Sequence, residues 1–278
     1  MIINYEKRHE LGLAGLALLR NWLVGDDKDS KLILEEIHNL INKESSEESI
    51  TAFNISKGYK AWAETYDNMP NLLIEVEEPA VRSIVKKFKP GNALDAACGT
   101  GRYSEFLDSL GYNVTGVDLS PDMLFQARKN RKKRINFLQG NLTEIPMKSE
   151  SVDLVICALA LTHFPQLDNA LSELSRVMQP KGHMIISDIH PWLVALGGQA
   201  EFFDKSGKHG YIPNYIHWHS SYFESFNRLG LKVLQCIEPK MKQKHVKLAK
   251  TGFDLKEKTI ELALKDLPIA VVWLLEKP

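Results

Sequence analysis

The stretch Asn92-Ala93-Leu94-Asp95-Ala96-Ala97-Cys98-Gly99-Thr100-Gly101-Arg102 decides the fold. A short apolar run ends in an acid, passes through two glycines and leads into an amphipathic segment, which predicts a strand, a turn and a helix. Glycines let the backbone approach a ligand closely, and the following helix presents unpaired N–H groups at its positive end. The stretch therefore predicts a ligand-binding turn.

Short apolar runs alternate with longer amphipathic segments on both sides of this turn. The predicted strands are 93–97, 114–117, 135–138, 152–159 and 183–189, followed later by 231–237 and 269–275. The predicted helices are 72–88, 103–110, 121–130 and 167–178. This alternation is typical of an α/β protein with a mainly parallel sheet that is covered on both faces.

Two features of the turn argue against a dinucleotide. The dinucleotide-binding pattern Gly-x-Gly-x-x-Gly/Ala has a third glycine or alanine where this chain has Ser104, so the pattern is incomplete. The carboxylate of Asp95 would repel a pyrophosphate but would attract a cationic or ammonium group. We therefore expect a ligand other than a phosphate at the turn.

Polar residues also end the next two predicted strands. Asp118 follows the strand 114–117, where a carboxylate is well placed to bind the two hydroxyls of a ribose. Asn141 follows the strand 135–138, and its amide can hydrogen-bond the edge of an adenine. Ribose and base together indicate an adenosyl ligand.

With these residues in place, the sequence from about Tyr59 to Pro278 resembles the class I S-adenosylmethionine-dependent methyltransferases, specifically the small-molecule enzymes with a Cys-Gly-Thr-Gly turn. The resemblance implies a Rossmann-like, seven-stranded, mainly parallel sheet whose last strand is antiparallel. It also implies that the segment 190–216, after the fifth strand, forms a cap over the substrate. A helix carrying Trp62 and Tyr66 is expected to cover the cofactor.

The resemblance further implies which residues contact S-adenosylmethionine. That set is Tyr66, Asp95, Ala97, Gly99, Gly101, Arg102, Asp118, Leu119, Met123, Asn141, Leu142 and Ala158. In the family, the glycine turn holds the methionine part, and Leu119, Met123 and Leu142 flank the adenine. Ala97 departs from the family, which often has glycine there. Arg102 opens a helix, where a cation opposes the dipole, so a carboxylate of the cofactor or substrate is a reasonable partner.

Histidines supply the candidate catalytic groups. His163 and His190 follow the ends of the fourth and fifth strands, where open α/β sheets bind ligands, and each is a candidate general base or substrate anchor. The alternative is a structural histidine with satisfied hydrogen bonds. His217 and His219 lie two apart, but without a nearby cysteine or carboxylate in the sequence we expect no metal site. Aromatic residues between Trp192 and Phe226 predict a partly apolar or aromatic substrate.

Composition excludes several classes of function. The 278 residues carry 35 basic and 35 acidic side chains, so no net charge favours a nucleic acid or an anionic membrane. The basic run 128–134 has no interleaved aromatics, and we interpret it as a solvated helix end. Three scattered cysteines indicate a reducing cytoplasm, and no export signal or membrane anchor is readable.

The predicted organisation is a helical extension over 1–50 and a methyltransferase domain over 51–278. Two short amphipathic helices cannot bury their apolar stripes alone, so the extension is expected to act as a lid or to form a homodimer. The residues 42–49 are expected to be a linker, and Lys240–Lys250 a solvated loop.

Two other functions stay open at this point. One is an NAD-dependent oxidoreductase on a related sheet. The other is a binding module that keeps the S-adenosylmethionine site but has no turnover.

Overall fold

A computed structural model of the protein describes residues 5–44, 50–68, 70–130 and 134–278. The expected linker at 45–49 and the centre of the basic run, 131–133, lie outside the described residues. The chain divides into two compact units. The first comprises residues 1–51, 70–76 and 240–269, and the second comprises 52–69, 77–239 and 270–278.

The second unit is built on a seven-stranded sheet in the order β4-β3-β2-β5-β6-β10-β9. Its strands are β2 (Asn92–Ala96), β3 (Asn113–Asp118), β4 (Asn136–Gln139), β5 (Val152–Ala158), β6 (Met178–Ile189), β9 (Lys232–Ile237) and β10 (Ala270–Glu276). Strands β2 to β6 pair in parallel, and β10 is antiparallel to both β6 and β9. The predicted Rossmann-like sheet with an antiparallel last strand is confirmed.

Helices on both faces of this sheet create two apolar cores. Those of the second unit are α3 (Ile55–Trp62), α5 (Arg102–Ser109), α6 (Pro121–Asn130), α7 (Asp168–Val177), α8 (Pro191–Ala195) and α9 (His219–Arg228), with the 3-10 turn Leu161–His163. Helix α4 (Leu72–Val85) runs across the division between the units. Neighbouring β2 residues point to opposite faces, because Ala93 belongs to one core and Leu94 to the other.

The predicted cap segment 190–216 contains a small antiparallel hairpin. Strands β7 (Ala200–Phe203) and β8 (His209–Ile212) pair in register from Ala200 with Ile212 to Phe203 with His209. A short strand β1 (Thr51–Ala52) completes a sheet in the order β1-β8-β7. Gly58 of α3 lies so close to Ile212 that an added Cβ would sit 2.4 Å from its side chain, so α3 needs glycine there to pack on β8.

The first unit contains the helices α1 (Tyr5–Val24), α2 (Asp27–Asn42), α10 (Gln243–Lys250) and α11 (Glu257–Leu264). The two predicted N-terminal helices are therefore present. The guanidinium of Arg20 donates to the carbonyls of Leu262, Ala263 and Lys265, each at 2.9 Å, and so satisfies the open end of α11.

The prediction of a solvated loop at Lys240–Lys250 is wrong, because α10 occupies most of it and buries Val246 and Ala249. Residues 240–269, which the sequence analysis placed in the methyltransferase domain, cluster with the N-terminal helices. The sequence pattern failed here because several lysines sit on the exposed side of a short amphipathic helix.

Among the described residues, none of the helices is both long enough and apolar enough to cross a membrane.

Candidate functional site

A cavity opens where β2, β3, β4 and β5 end, which is the edge where open α/β sheets bind their ligands. It has an empty volume of about 850 Å³, part of it open to solvent, which is the size of ordinary ligand pockets. The residues that line it are Ile55, Ser56, Tyr59, Tyr66, Ala97, Gly99, Val117, Asp118, Leu119, Ser120, Gly140, Asn141, Leu142, Ala158, Leu159, Ala160, His163 and Phe164.

The glycine turn forms one wall of the cavity by adopting left-handed backbone conformations. Gly99 has φ +53° and Gly101 has φ +84°, which glycine adopts without steric cost. A Cβ on Gly99 would meet no other atom within 4 Å, so the backbone there borders open space. Ala97, with φ +56°, takes the same conformation without being glycine. The turn is therefore shaped for a ligand to lie against its backbone.

Asp118 projects its carboxylate into the cavity and is held there by two backbone groups. The Gly99 N–H donates to Oδ2 at 2.7 Å, and the Ser120 N–H donates to Oδ1 at 2.8 Å. Burial raises the pKa of Asp118, while these two N–H donors work against the increase. Each carboxylate oxygen keeps a second lone pair, so both can accept hydrogen bonds from a vicinal pair of hydroxyls.

Asn141 lies beside Leu142 on the adjoining wall, directly after β4. Its Oδ1 accepts the N–H of Thr143 at 3.1 Å, which fixes the side chain in an Asx turn. The Nδ2 group is the part of this amide suited to donate to a ring nitrogen of a base. Apolar side chains of Leu119 and Leu142 also line this wall. The wall thus combines apolar surface with one amide donor, which suits an adenine.

A tyrosine and a histidine meet at the opposite wall. The Tyr59 hydroxyl lies 2.8 Å from His163 Nε2, and His163 Nδ1 lies 3.2 Å from the carbonyl oxygen of Pro213. Because that carbonyl can only accept, Nδ1 carries the ring proton and Nε2 accepts the Tyr59 O–H. Burial lowers the pKa of His163 and raises the pKa of Tyr59, so both groups are neutral near pH 7.

Aromatic rings surround this pair. Tyr59 stacks on Trp62, with 5.8 Å between ring centroids, and Trp62 stacks in turn on Phe202 of β7 at 5.4 Å. Tyr66 follows the end of α3 and packs against Trp62 at 4.9 Å. The predicted helix with both Trp62 and Tyr66 ends at Trp62, and only Tyr66 of the two lines the cavity. That this segment covers the cofactor stays a prediction.

Eight of the twelve residues expected to contact the cofactor line the cavity. They are Tyr66, Ala97, Gly99, Asp118, Leu119, Asn141, Leu142 and Ala158. Asp95, Gly101, Arg102 and Met123 do not line it. The roles of all twelve toward a bound cofactor stay predictions.

Asp95 lies behind the turn rather than in the cavity. It is 2% exposed and accepts the Ser104 hydroxyl at 2.6 Å. Burial raises its pKa to about 6. Asp95 therefore lies outside the cavity lining, and its expected attraction for a cationic ligand stays a prediction. Met123, expected beside the adenine, is fully buried on α6 in the same way.

The partner of Arg102 is a pair of carboxylates of the protein itself. Its Nη1 atom lies 3.2 Å from Glu78 Oε1 and 3.6 Å from Glu77 Oε2, and its guanidinium carbon lies 4.1 Å from the centroid of the Tyr103 ring. Glu77 is completely buried and also accepts the hydroxyls of Tyr103 and Ser187. Arg102 thus pairs with one fully buried acid and one partly exposed acid, which the sequence could not reveal because α4 and α5 meet only in the fold.

The two candidate bases have different locations. His163 lines the cavity, whereas His190 caps the N-terminus of α8 and lies 3.1 Å from Glu238, away from the cavity lining. The prediction of a catalytic role for His190 thus has no geometric support. His217, the other half of the doubtful metal pair, is 2.8 Å from the Phe164 carbonyl through its Nε2.

Leu159, Ala160 and Phe164 belong to the segment 157–164, which the resemblance places at the active site. Sequence reasoning missed six further lining residues, namely Ile55, Ser56, Tyr59, Val117, Ser120 and Gly140. The sequence does carry a signal for α3. Asn54 is a typical N-cap residue, and its side chain accepts the Lys57 N–H. Ile55 and Tyr59 are four residues apart and therefore share one face of the helix. The sequence does not predict that this face of α3 lies against the ends of the strands.

Comparisons with known proteins agree with this architecture. Residues 94–186 match the family model of a methyltransferase domain. A malonyl-[acyl-carrier protein] O-methyltransferase of Yersinia pestis is 33% identical over 135 residues, which are 49% of this chain and 50% of the relative. The chain therefore spans about half the length of that relative.

Solved structures show the same fold. An S-adenosylmethionine-dependent methyltransferase from Mesorhizobium loti superimposes with a TM-score of 0.58 at 20% identity, covering 74% of this chain and all of that one. A complex of DhpI with SAM and HEP has a TM-score of 0.58 at 18% identity, covering 80% and 95%. Residues 94–186 thus match a methyltransferase domain, and the fold is that of S-adenosylmethionine-dependent methyltransferases of known structure, in agreement with the resemblance of the sequence.

Proposed function

We propose that this protein, as a chain with a class I methyltransferase domain, transfers a methyl group from S-adenosylmethionine to a small-molecule acceptor. The observation that carries this proposal is the Asp118 carboxylate, held in the cavity by the N–H groups of Gly99 and Ser120. A carboxylate fixed in this way offers two acceptor oxygens at the edge of the sheet, as ribose hydroxyls require.

The residues present fit that cofactor. Asp118 would accept the two ribose hydroxyls, Asn141 would meet the adenine edge, and the open backbone at Gly99 would border the methionine part. S-adenosylmethionine supplies an electrophilic methyl group on its sulfonium sulfur. The protein supplies binding, orientation and exclusion of water.

The Tyr59–His163 pair gives the protein a route for a proton. An acceptor hydroxyl that donates to the Tyr59 oxygen can pass its proton there while Tyr59 passes its own to His163 Nε2. His163 is neutral and its Nδ1–H is held by the Pro213 carbonyl, so Nε2 has a lone pair directed at Tyr59. This arrangement suits an acceptor with an oxygen that must lose a proton.

Two further observations bear on the chemical class of the acceptor. The rings of Tyr59, Trp62, Tyr66 and Phe202 form a continuous aromatic group next to the cavity. One relative acts, by its name, on the malonyl group of an acyl-carrier protein, and another of Renibacterium salmoninarum is a demethylmenaquinone methyltransferase. We therefore propose carboxyl and hydroxyaromatic compounds as the first acceptors to test.

Cofactor binding is tested by isothermal titration with S-adenosylhomocysteine. We expect Asp118→Ala to weaken binding by roughly 10- to 150-fold for each lost hydrogen bond to the charged carboxylate, which corresponds to about 1.5–3 kcal/mol. Asp122→Ala is the matched control, because Asp122 follows in the first turn of α6 and does not line the cavity. Equal affinity of the wild type and the Asp118 variant would contradict the proposal.

The same titration separates the alternatives. Binding of NAD in place of S-adenosylhomocysteine would indicate an oxidoreductase. Tight binding of S-adenosylhomocysteine with no methylated product from any acceptor class, measured by mass spectrometry, would indicate a binding module. We expect a product whose formation requires the intact Tyr59–His163 pair when the acceptor is a hydroxyl.

A further inference from the structure

Three metal-binding side chains converge at a second place in the same unit. His190, His219 and Glu238 each offer one ligand atom, and these atoms lie within 4.8 Å of one another. Glu238 Oε1 is 3.1 Å from His190 Nε2 and 3.1 Å from His219 Nε2. Among the described residues no other group of three such ligands comes together this closely.

The sheet brings these residues together from distant parts of the sequence. His190 directly follows β6, Glu238 directly follows β9, and His219 is the first residue of α9, which leads into β9. Strand β10 lies between β6 and β9, so the side chains of His190 and Glu238 reach toward each other across its end. His219 also packs edge-on against Trp273 of β10, with ring centroids 5.5 Å apart.

The ligand types of the three groups suit a cation. Two imidazoles and one carboxylate form a common ligand set for zinc.

One ligand atom of this cluster, His219 Nε2, has no hydrogen-bond partner. This atom is buried but makes no aligned hydrogen bond, although Glu238 Oε1 is 3.1 Å away. A buried ring nitrogen without an aligned partner is unusual and calls for an explanation such as an ion.

We propose that His190, His219 and Glu238 form a binding site for one divalent transition-metal ion of the zinc class. In tetrahedral zinc sites with bonds of about 2.0–2.2 Å, ligand atoms lie roughly 3.3–3.6 Å apart, so the two observed 3.1 Å separations need to widen only slightly. Three protein ligands leave a fourth position for water or an acceptor group. Glu238 and His219 have side chains that are 46% and 32% exposed, which gives the ion a path from solvent.

Metal binding selects one tautomer of His190. Its Nδ1 accepts the Trp192 N–H at 3.4 Å, so without a metal the ring carries its proton on Nε2 and donates it to Glu238. Coordination through Nε2 places this proton on Nδ1 and gives up the long Trp192 hydrogen bond.

The site is separate from the cofactor cavity, since none of its three residues lines that cavity. The inference goes beyond the proposed function and does not depend on it. Methyl transfer can fail while zinc binds, and zinc binding can fail while S-adenosylhomocysteine binds.

The test is equilibrium dialysis of the metal-free full chain against Zn²⁺, with Co²⁺ absorption as a report of ligand geometry. We expect one equivalent of Zn²⁺ and a tetrahedral Co²⁺ spectrum. His219→Gln and Glu238→Gln should each weaken Zn²⁺ binding by more than the roughly 10- to 100-fold that loss of an outer hydrogen-bond partner costs. His190→Asn should also weaken Zn²⁺ binding, because it removes the imidazole. Asparagine keeps a side-chain oxygen that can cap α8, so this weaker binding does not arise from loss of the helix cap.

The matched control is His209→Gln, which removes a histidine whose Nε2 lies 3.3 Å from the Glu201 carboxylate. It should leave the tight Zn²⁺ equivalent unchanged. Absence of saturable binding would overturn the proposal, and so would equal weakening by His209→Gln and His219→Gln. Binding that survives the combined change of His219 and Glu238 would overturn it as well.

Discussion

Replacing Tyr59 with phenylalanine removes one hydroxyl from the wall of the cavity and leaves the ring that stacks on Trp62. The hydroxyl donates to His163 Nε2 at 2.8 Å, and the other ring nitrogen of His163 is held by the Pro213 carbonyl. His163 is only 5% exposed, so water does not readily replace the missing donor. The variant leaves a buried acceptor without a partner.

The expected cost follows from that geometry. Leaving one buried hydrogen-bonding group unsatisfied costs about 1–3 kcal/mol, more than the roughly 1 kcal/mol that a typical intact hydrogen bond contributes. We therefore expect Tyr59→Phe to lower the free energy of unfolding by about 1–3 kcal/mol. The pKa of His163 should rise, because the Tyr59 O–H favours the neutral ring and the variant removes that preference.

Two measurements check this reasoning. Urea unfolding measures the free energy of unfolding of the wild type and the variant, and NMR titration of the His163 ring measures its pKa. Tyr215→Phe is the control, since Tyr215 is 44% exposed and loses a hydroxyl near the surface. In a double-mutant cycle, Tyr59→Phe and His163→Phe should show a coupling energy well above the roughly 0.5 kcal/mol of independent sites. Additive effects together with an unchanged His163 titration would refute the Tyr59–His163 pair.

Three further predictions concern other parts of the chain. Ala97→Gly relieves a left-handed conformation that costs an L-residue about 1–2 kcal/mol but adds about 0.4–1 kcal/mol of chain entropy to the unfolded state, so thermal unfolding should show a gain in stability of about 0–1.6 kcal/mol. Burial raises the pKa of Asp188 from 3.8 to about 7, so its stabilisation is complete below pH 3.8 and is lost as pH rises through 7. Asp188→Asn mimics the protonated acid, so urea unfolding at pH 5 and pH 8 should show the variant gaining on the wild type at the higher pH, and a constant difference would contradict this. Trp22 is 89% exposed on α1 beside Leu19 and Leu23, at 76% and 79%, so light scattering should show a homodimer that Trp22→Glu dissociates, whereas a wild-type monomer would remove the prediction.

The sequence by itself determined the sheet and the turn, because both depend on patterns of neighbouring residues. A buried parallel strand needs a short apolar run, and a left-handed turn needs glycines such as Gly99 and Gly101. Asp118 and Asn141 could be placed at the cavity because parallel strands end at the same edge of a sheet. These inferences use spacing along the chain and require no knowledge of which helices touch.

Only the tertiary structure decided the pairings between distant segments. Arg102 meets Glu77 and Glu78, and Tyr59 meets His163, because helices far apart in sequence pack against the same strands. The His190 side chain contacts Glu238 and does not line the cavity, because β6 and β9 end near each other in the folded sheet. Side-chain partners of this kind depend on direction and distance in space, and a period of two or 3.6 residues fixes a face of an element but not what that face meets.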